Sequence, residues 1–199
     1  MKSDVLTLRY GNTYTFLVRG EKGNLLIDTD YAGTLPAFYR ALKDSRLRLS
    51  DISYVIATHY HPDHCGLIGE LQRQGVKLIL TESQKDAVHY PDYIFKRDRI
   101  EYVPADAEAA ELIPIERSRE FLKRIGINGV IIPTASHSPD GIALILDDGN
   151  CFVGDLEPIE YIPAYGEDSP LKADWDLILK HNPKMIRYAH APARAFAEI

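Results

Sequence analysis

The chain has 199 residues, of which 45% are hydrophobic and 26% charged, and its formal net charge is -6. A chain of this length can form a core of its own, so we expect a single domain over residues 1–199. The negative net charge argues against a nucleic-acid-binding face, so we expect no nucleic-acid partner. No apolar run reaches the ~20 residues of a membrane span, so we expect no membrane partner.

The N-terminal third begins without a signal-peptide pattern and continues as strand, turn, strand. Residues 1–7 contain no long apolar stretch or cleavage site, so we expect a cytoplasmic protein. β-Branched and aromatic residues predict strands at 5–9 and 12–19. A glycine-containing break at 20–23 separates them from a short strand at 25–27.

A helix and another strand follow this hairpin. Leu35, Phe38 and Leu42 share one face of residues 35–42, which predicts an amphipathic helix. The apolar run at 54–58 predicts the next strand, and it leads directly into a histidine-rich stretch.

That stretch reads His-Tyr-His-Pro-Asp-His-Cys-Gly and suggests a metal site. In an extended chain, alternate side chains point to the same face, so His59, His61 and Asp63 lie together. Pro62 helps to turn the chain, and His64 breaks the alternation. The stretch therefore has donors for one ion and further donors for a second.

The middle of the chain continues the alternation of helices and strands. We predict a helix at 67–71, a strand at 76–80, a helix at 121–125 and a strand at 129–132. Residues 88–116 show no clear period, so we interpret them as an insertion or a lid over the site.

The last third supplies three more metal-ligand types near strand ends. His137 follows the strand at 129–132 by five residues, and a hairpin over 142–154 ends on Asp155. A Tyr- and Pro-rich loop, a helix and a strand then lead to His190.

Two segments of the chain echo each other, which suggests two related halves. Gly23–Asp28 and Gly149–Asp155 both run from a turn through a short apolar strand to an aspartate. Strands that alternate with helices and hairpins predict a layered α/β domain with mixed sheets. Cys65 and Cys151 are too few for a disulfide framework, so we expect both to be reduced and buried.

The chain has seven candidate ligands, which exceeds the four that a tetrahedral zinc ion can use. They are His59, His61, Asp63, His64, His137, Asp155 and His190.

With these residues in place, the chain resembles a metallo-β-lactamase superfamily hydrolase. The signature H-x-H-x-D-H is met at residues 59–64, and the later single His, Asp and His match His137, Asp155 and His190. Residues 12–29 also resemble the opening hairpin of the family. The resemblance implies a four-layer αββα sandwich, with two mixed sheets inside and helices outside.

The resemblance also implies how two ions are held. The first group is His59, His61 and His137, the second is Asp63, His64 and His190, and Asp155 bridges the two ions. The ions would be divalent, with zinc the first choice and iron or manganese as alternatives. A metal-bridging hydroxide would then be the nucleophile, and Asp63 would orient it and accept its proton.

The expected partner is a small molecule. Two dications, two carboxylates and a hydroxide sum to about +1, which favours an anionic or carbonyl-bearing substrate. Tyr93, Tyr161 and Tyr165 are candidate substrate contacts in segments beside the site. We expect Asp28 to support a ligand rather than to bind an ion itself.

Three positions depart from the family pattern, so the loop shape there needs another explanation. Asp30 stands where the family often has Gly, Ala135-Ser136 replaces Pro-Gly, and Ala189 replaces Gly.

From the resemblance, we expect the reaction to be hydrolysis of a small ester, thioester, lactone or phosphodiester. Two alternatives stay open: a mononuclear iron persulfide dioxygenase on the same scaffold, and a metal-binding sensor module without turnover. Metal content and oxygen uptake would separate them.

Overall fold

The computed structural model describes residues 3–196, which form two β-sheets. The strands of the first sheet, in spatial order, are β1 (Val5–Arg9), β2 (Tyr14–Val18), β3 (Leu25–Ile27), β4 (Tyr54–Ile56), β5 (Lys77–Thr81) and β6 (Glu111–Ile113). The strands of the second sheet, in chain order, are β7 (Gly129–Pro133), β8 (Ile142–Leu146), β9 (Asn150–Gly154), β10 (Met185–Tyr188) and β11 (Arg194–Ala195).

Both sheets are mixed. In the first sheet, β1 to β3 pair antiparallel and β3 to β6 pair parallel. In the second sheet, whose spatial order is β11-β10-β9-β8-β7, only β9 and β10 pair parallel. The carboxyl ends of β3, β4, β9 and β10 bear the residues of the candidate site.

The helices flank these sheets. They are α1 (Leu35–Asp44), α2 (Pro62–Cys65), α3 (Ile68–Arg73), α4 (Tyr90–Asp98), α5 (Ser118–Arg124), α6 (Ile162–Tyr165) and α7 (Pro170–Leu179). None of the helices within residues 3–196 has both the length and the apolar character needed to cross a membrane.

Alternating side chains divide the interior into three apolar layers. Leu26 faces α1 and α3, whereas its neighbour Ile27 faces the second sheet. In the second sheet, Phe152 packs toward the first sheet and Val153 packs with Trp175 of α7. This period of two buries both faces of each sheet. The predicted four-layer αββα sandwich is confirmed.

The segment at 88–116 has more regular structure than its sequence suggests. It contains α4 and also β6, which is the last strand of the first sheet. α4 buries only Pro91 and Phe95, and β6 is three residues long, so neither produces a clear hydrophobic period. That residues 88–116 act as a lid over the site stays a prediction.

Candidate metal centre

The seven candidate ligands gather at one edge of the sandwich, where parallel strands end. β4 leads into His59, β9 leads into Asp155, and β10 leads into His190. His137 reaches the same place from the β7–β8 connection. The carboxyl ends of parallel strands are a common position for sites in α/β proteins, because the following loops converge there.

Three histidines form the first group. His59 Nε2 lies 2.9 Å from His61 Nδ1, and His137 Nε2 lies 3.3 Å from the same His61 atom. Neighbouring nitrogens on a tetrahedral zinc with Zn–N bonds of about 2.0 to 2.1 Å are about 3.3 Å apart. The distances from His61 are therefore close to those between ligands of one ion, and all three ligand atoms lie within 4.8 Å of one another.

The second group lies beside the first and shares an aspartate with it. His190 Nε2 lies 3.2 Å from Asp63 Oδ2 and 3.3 Å from Asp155 Oδ1. Asp155 Oδ2 lies 3.3 Å from His64 Nε2 and 3.7 Å from His137 Nε2. Asp155 thus contacts members of both groups, which is the position of a bridging carboxylate.

Two buried atoms in this cluster support metal binding independently of the motif. His64 Nε2 and Asp155 Oδ1 are buried and have no hydrogen-bond partner among the described residues. A buried polar atom without a partner carries a desolvation cost of about 1 to 3 kcal/mol. Coordination of an ion would satisfy both atoms, so these residues fit a metal centre.

The protonation states of the buried histidines differ. Burial, together with the neighbouring His64, lowers the pKa of His59 to about 2, so His59 is neutral at pH 7 and free to bind an ion. Burial alone would lower the pKa of His64, but Asp28 and Asp155 outweigh it and raise that pKa to about 10. An ion that binds His64 therefore displaces a proton.

The carboxylate of Asp155 is ionised in this setting. Burial alone would raise its pKa, but the contact with His64 and the charge of His64 hold the pKa well below its usual range. An ionised carboxylate is the form that binds cations.

Asp28 orients His64 from the end of β3. Its buried carboxylate lies 3.2 Å from His64 Nδ1 and accepts hydrogen bonds from the Thr58 N–H (2.6 Å) and hydroxyl (3.0 Å). A positive φ of 59° turns the Asp28 backbone into this position. A carboxylate on the far ring nitrogen fixes the tautomer and orientation of a ligating histidine, as we expected of Asp28.

Replacement of Asp28 tests this role. Asp28→Asn keeps an oxygen for the Thr58 N–H and tolerates the positive φ, but it removes the charge beside His64. We expect metal affinity to fall about 10- to 100-fold, because outer-shell changes at metal sites have this effect. Metal titration against a competing chelator measures the affinity. Asp51→Asn, whose carboxylate bonds Arg48, is the control and should leave the affinity unchanged.

The loop that presents His137 is held by a residue from α7. The buried Asp174 carboxylate accepts hydrogen bonds from the N–H groups of Ala135 (3.2 Å) and Ser136 (2.8 Å). This explains how the loop is shaped without Pro-Gly at these two positions. The sequence gives no signal for Asp174, because its partners are 38 and 39 residues away.

Loss of this anchor should loosen His137 rather than unfold the protein. In Asp174→Ala, two N–H groups lose their acceptor, which costs about 1 to 3 kcal/mol for each group that stays buried. We expect a lower midpoint in urea unfolding and weaker metal binding, with the α7 fold retained by circular dichroism. Asp176→Ala, which removes an exposed partner of Lys172, should change neither quantity by a comparable amount.

The other two departures also have local partners. The buried Asp30 carboxylate accepts from the N–H groups of Thr13 (2.9 Å) and Tyr31 (2.6 Å) and packs against Gly11, where a Cβ would lie 2.1 Å from Asp30 Oδ2. Ala189 joins the halves, because its carbonyl accepts from Tyr14 N–H at 2.7 Å. Both residues therefore fix the β1–β2 turn beside the site.

The three predicted tyrosines differ in position. Tyr165 lines a depression with His137, and all three side chains are exposed, at 69% for Tyr93, 52% for Tyr161 and 59% for Tyr165. As substrate contacts, all three stay predictions. Sequence reasoning missed Tyr90, whose ring centroid lies 6.1 Å from that of His61. Its place in the first turn of α4, in a segment without a clear period, gave no signal.

The fold and this donor cluster define an αββα sandwich protein with a candidate metal-binding site. The sequence model of the Metallo-beta-lactamase superfamily matches residues 8–188, and the chain belongs to this superfamily. The resemblance seen in the sequence is confirmed. The superfamily includes metal-dependent hydrolases and relatives of the flavoprotein type.

Individual relatives show how far the likeness extends. Diflavin flavoprotein A 2 of Synechocystis is 45% identical over 91 residues, which are 45% of this chain and 15% of that protein. The anaerobic nitric oxide reductase flavorubredoxin of Salmonella arizonae is 34% identical over 96 residues, which are 45% of this chain and 20% of that protein. The chain therefore spans a small part of these flavoproteins.

Solved structures share the fold at low identity. The metallo-beta-lactamase family protein TTHA1429 from Thermus thermophilus superposes with a TM-score of 0.72 and 21% identity, over 96% of this chain and 74% of that one. TTHA1623 in a di-iron-bound form superposes with a TM-score of 0.71 and 18% identity, over 98% of this chain and 95% of that one.

Proposed function

We propose that this protein is a dinuclear metal-dependent hydrolase of a small ester, thioester, lactone or phosphodiester. The observation that carries the proposal is the arrangement of the donor atoms. Two groups of three ligands, each with its ligand atoms within 4.8 Å of one another, lie on either side of Asp155. Shared carboxylates are typical of paired metal ions about 3.5 to 4 Å apart.

Each residue of the cluster has a proposed role. His59, His61 and His137 would hold one ion, Asp63, His64 and His190 the other, and Asp155 both. When bound, divalent ions supply Lewis acidity that ionises water near neutral pH and polarises a carbonyl or phosphoryl oxygen. Asp63, whose side chain is one-third exposed, would accept a proton from the attacking water.

Zinc is the proposed metal, and iron is the alternative with support of its own. Imidazole and carboxylate ligands suit both metals. TTHA1623, which shares this fold, was solved with two iron ions. The alternative reaction is that of a mononuclear iron persulfide dioxygenase, which would hold one iron ion and consume oxygen. Protein that binds metal without turnover would indicate a sensor module.

The test is a substrate panel on protein of known metal content. Purified chain, loaded with zinc, manganese or iron and quantified by mass spectrometry, is offered thioesters, lactones, aryl esters and phosphodiesters. We expect metal-dependent hydrolysis of at least one class, and its loss in His61→Ala. His89→Ala removes an exposed histidine that pairs with Asp92, outside the cluster, and should keep full activity.

Three results would contradict the proposal. They are equal activity in His61→Ala and the parent chain, oxygen uptake on a persulfide with iron, and lack of turnover of every class with two ions bound.

A further inference from the structure

A depression of about 590 Å³ opens beside the exposed side of the candidate metal centre. His61 and His137 form its inner end, and Tyr90 at the start of α4 and Pro139 of the β7–β8 connection form part of its walls. A substrate whose reacting group lies at the histidines would extend its non-reacting arm into this space. The chemistry of the walls therefore indicates which arms fit.

The walls combine apolar surface with one free charge. Asp140 is buried and already accepts hydrogen bonds from Tyr60 N–H at 2.7 Å and from the Ser138 hydroxyl. Asp86 also lines the depression, but it is exposed and forms no ion pair or side-chain hydrogen bond with any residue in 3–196. No lysine or arginine lines this depression within that range. Asp86 thus leaves a negative charge available to a ligand.

The dipole of α4, beside the depression, does not cancel the negative charge of Asp86. The amino end of α4 carries a partial positive charge from its unpaired N–H groups. Asp92 in the first turn of α4 offsets that charge. At the mouth of the depression, away from the histidines, Asp86 is therefore the lining residue with an uncompensated charge.

An aromatic ring adds a second attraction for a cation. The Tyr90 ring is 53% exposed and lines the same depression as Asp86. A cation over an exposed aromatic face gains about 0.5 to 1 kcal/mol, which is about a two- to fivefold change in an equilibrium constant. Ammonium groups bind such combinations of aromatic face and carboxylate.

The opposite flank of the site offers no free cation either. A depression on the Asp155 side is lined by Glu157 and Arg194, and Arg194 is paired with Glu160 at 2.7 Å. Glu157 also lines a third depression beside His137. Among the described residues, an anionic arm therefore meets carboxylates on both sides, although the reacting group itself can be anionic or carbonyl-bearing.

We propose that the depression selects substrates whose non-reacting arm is apolar and ends in an ammonium group, with Asp86 as the specificity-determining residue and Tyr90 as the aromatic face. This inference rests on the proposed hydrolase function and names the substrate class of the same site. It predicts that charge on the arm changes the specificity constant while the reacting bond stays the same.

The test uses two thioesters that differ only in charge. Acetylthiocholine has a quaternary ammonium arm, and S-(3,3-dimethylbutyl) thioacetate is its neutral isostere. With metal-loaded protein we expect kcat/KM to favour the cation about three- to thirtyfold, the range of one exposed ion pair combined with a cation–π contact. In Asp86→Asn the ratio should fall to the about two- to fivefold preference that the Tyr90 face alone supplies. Glu82→Gln, an exposed carboxylate on the neighbouring turn that does not line the depression, should keep the parent ratio.

A second readout separates failure of this inference from failure of the hydrolase proposal. Benzyltrimethylammonium binding to the metal-loaded chain, followed by NMR titration, should perturb Tyr90 and weaken in Asp86→Asn. Hydrolysis of both thioesters with equal kcat/KM would overturn the ammonium inference and leave the hydrolase proposal standing. Lack of any hydrolysis would count against the hydrolase proposal for thioesters, and the ammonium titration would then decide the inference alone. Binding that is unchanged by Asp86→Asn would overturn it.

Discussion

Asp155→Ala is expected to lose at least one of the two metal ions and essentially all hydrolytic activity. Two dications about 3.5 to 4 Å apart repel each other by roughly 15 to 20 kcal/mol at an effective dielectric of about 20. Asp155 is the carboxylate that contacts His64, His137 and His190, so it supplies the negative charge between the two groups. The loss should exceed the about 10- to 100-fold effect of outer-shell changes.

Metal per chain, measured by mass spectrometry, and kcat/KM on the best substrate of the panel check this result. Asp147→Ala is a matched control. Asp147 is an aspartate that follows the last residue of β8, away from the cluster, and it pairs with Arg119 on the surface. It should keep both ions. Two ions per chain together with near-normal turnover in Asp155→Ala would rule out the bridging role.

Removal of metal is expected to lower the melting temperature by about 8 to 16 °C. A ligand at 1,000 times its dissociation constant stabilises the folded state by about 4 kcal/mol. For a domain of about 150 to 250 residues, 1 kcal/mol shifts the melting temperature by roughly 2 to 4 °C. The ion would also coordinate the buried His64 Nε2 and Asp155 Oδ1 atoms, which form no hydrogen bond among the described residues.

Differential scanning calorimetry with and without a chelator measures this shift, and added zinc should reverse it. The His61→Ala variant, which lacks a ligand of the first group, should show a smaller chelator effect than the parent chain. A parent melting temperature that does not respond to chelator would show that the cluster holds no stabilising ion.

Local patterns in the sequence predicted a layered α/β domain and the residues of the cluster, and the family resemblance added the four-layer arrangement. The apolar run of β4 leads directly into the histidine stretch, and the β8–β9 hairpin turns at Gly149, whose φ is +92°. Such signals lie within about ten residues of one another. The same reasoning placed the end of β4 two residues late, because Ala57 and Thr58 are buried but do not pair as strand.

Support for the site was harder to predict because it comes from tertiary contacts. Asp174 reaches the His137 loop from α7, and Asp28 reaches Thr58 across 30 residues of chain. Neither aspartate lies in a sequence motif that indicates which residue it contacts. The depression beside Tyr90 is likewise formed by segments from three parts of the chain, so its chemistry became visible only with the fold.

Each half of the sandwich supplies an incomplete set of donors, and this has a consequence for how the halves communicate. The first sheet's loops carry four ligands, from His59 to His64, and the second sheet's loops carry the other three. Each three-ligand group that would hold an ion contains one histidine from the second half, His137 or His190. The number of ions bound per chain would therefore measure whether the two sheets are packed against each other. Fragments split between β6 and β7 should bind ions strongly only after they reassemble.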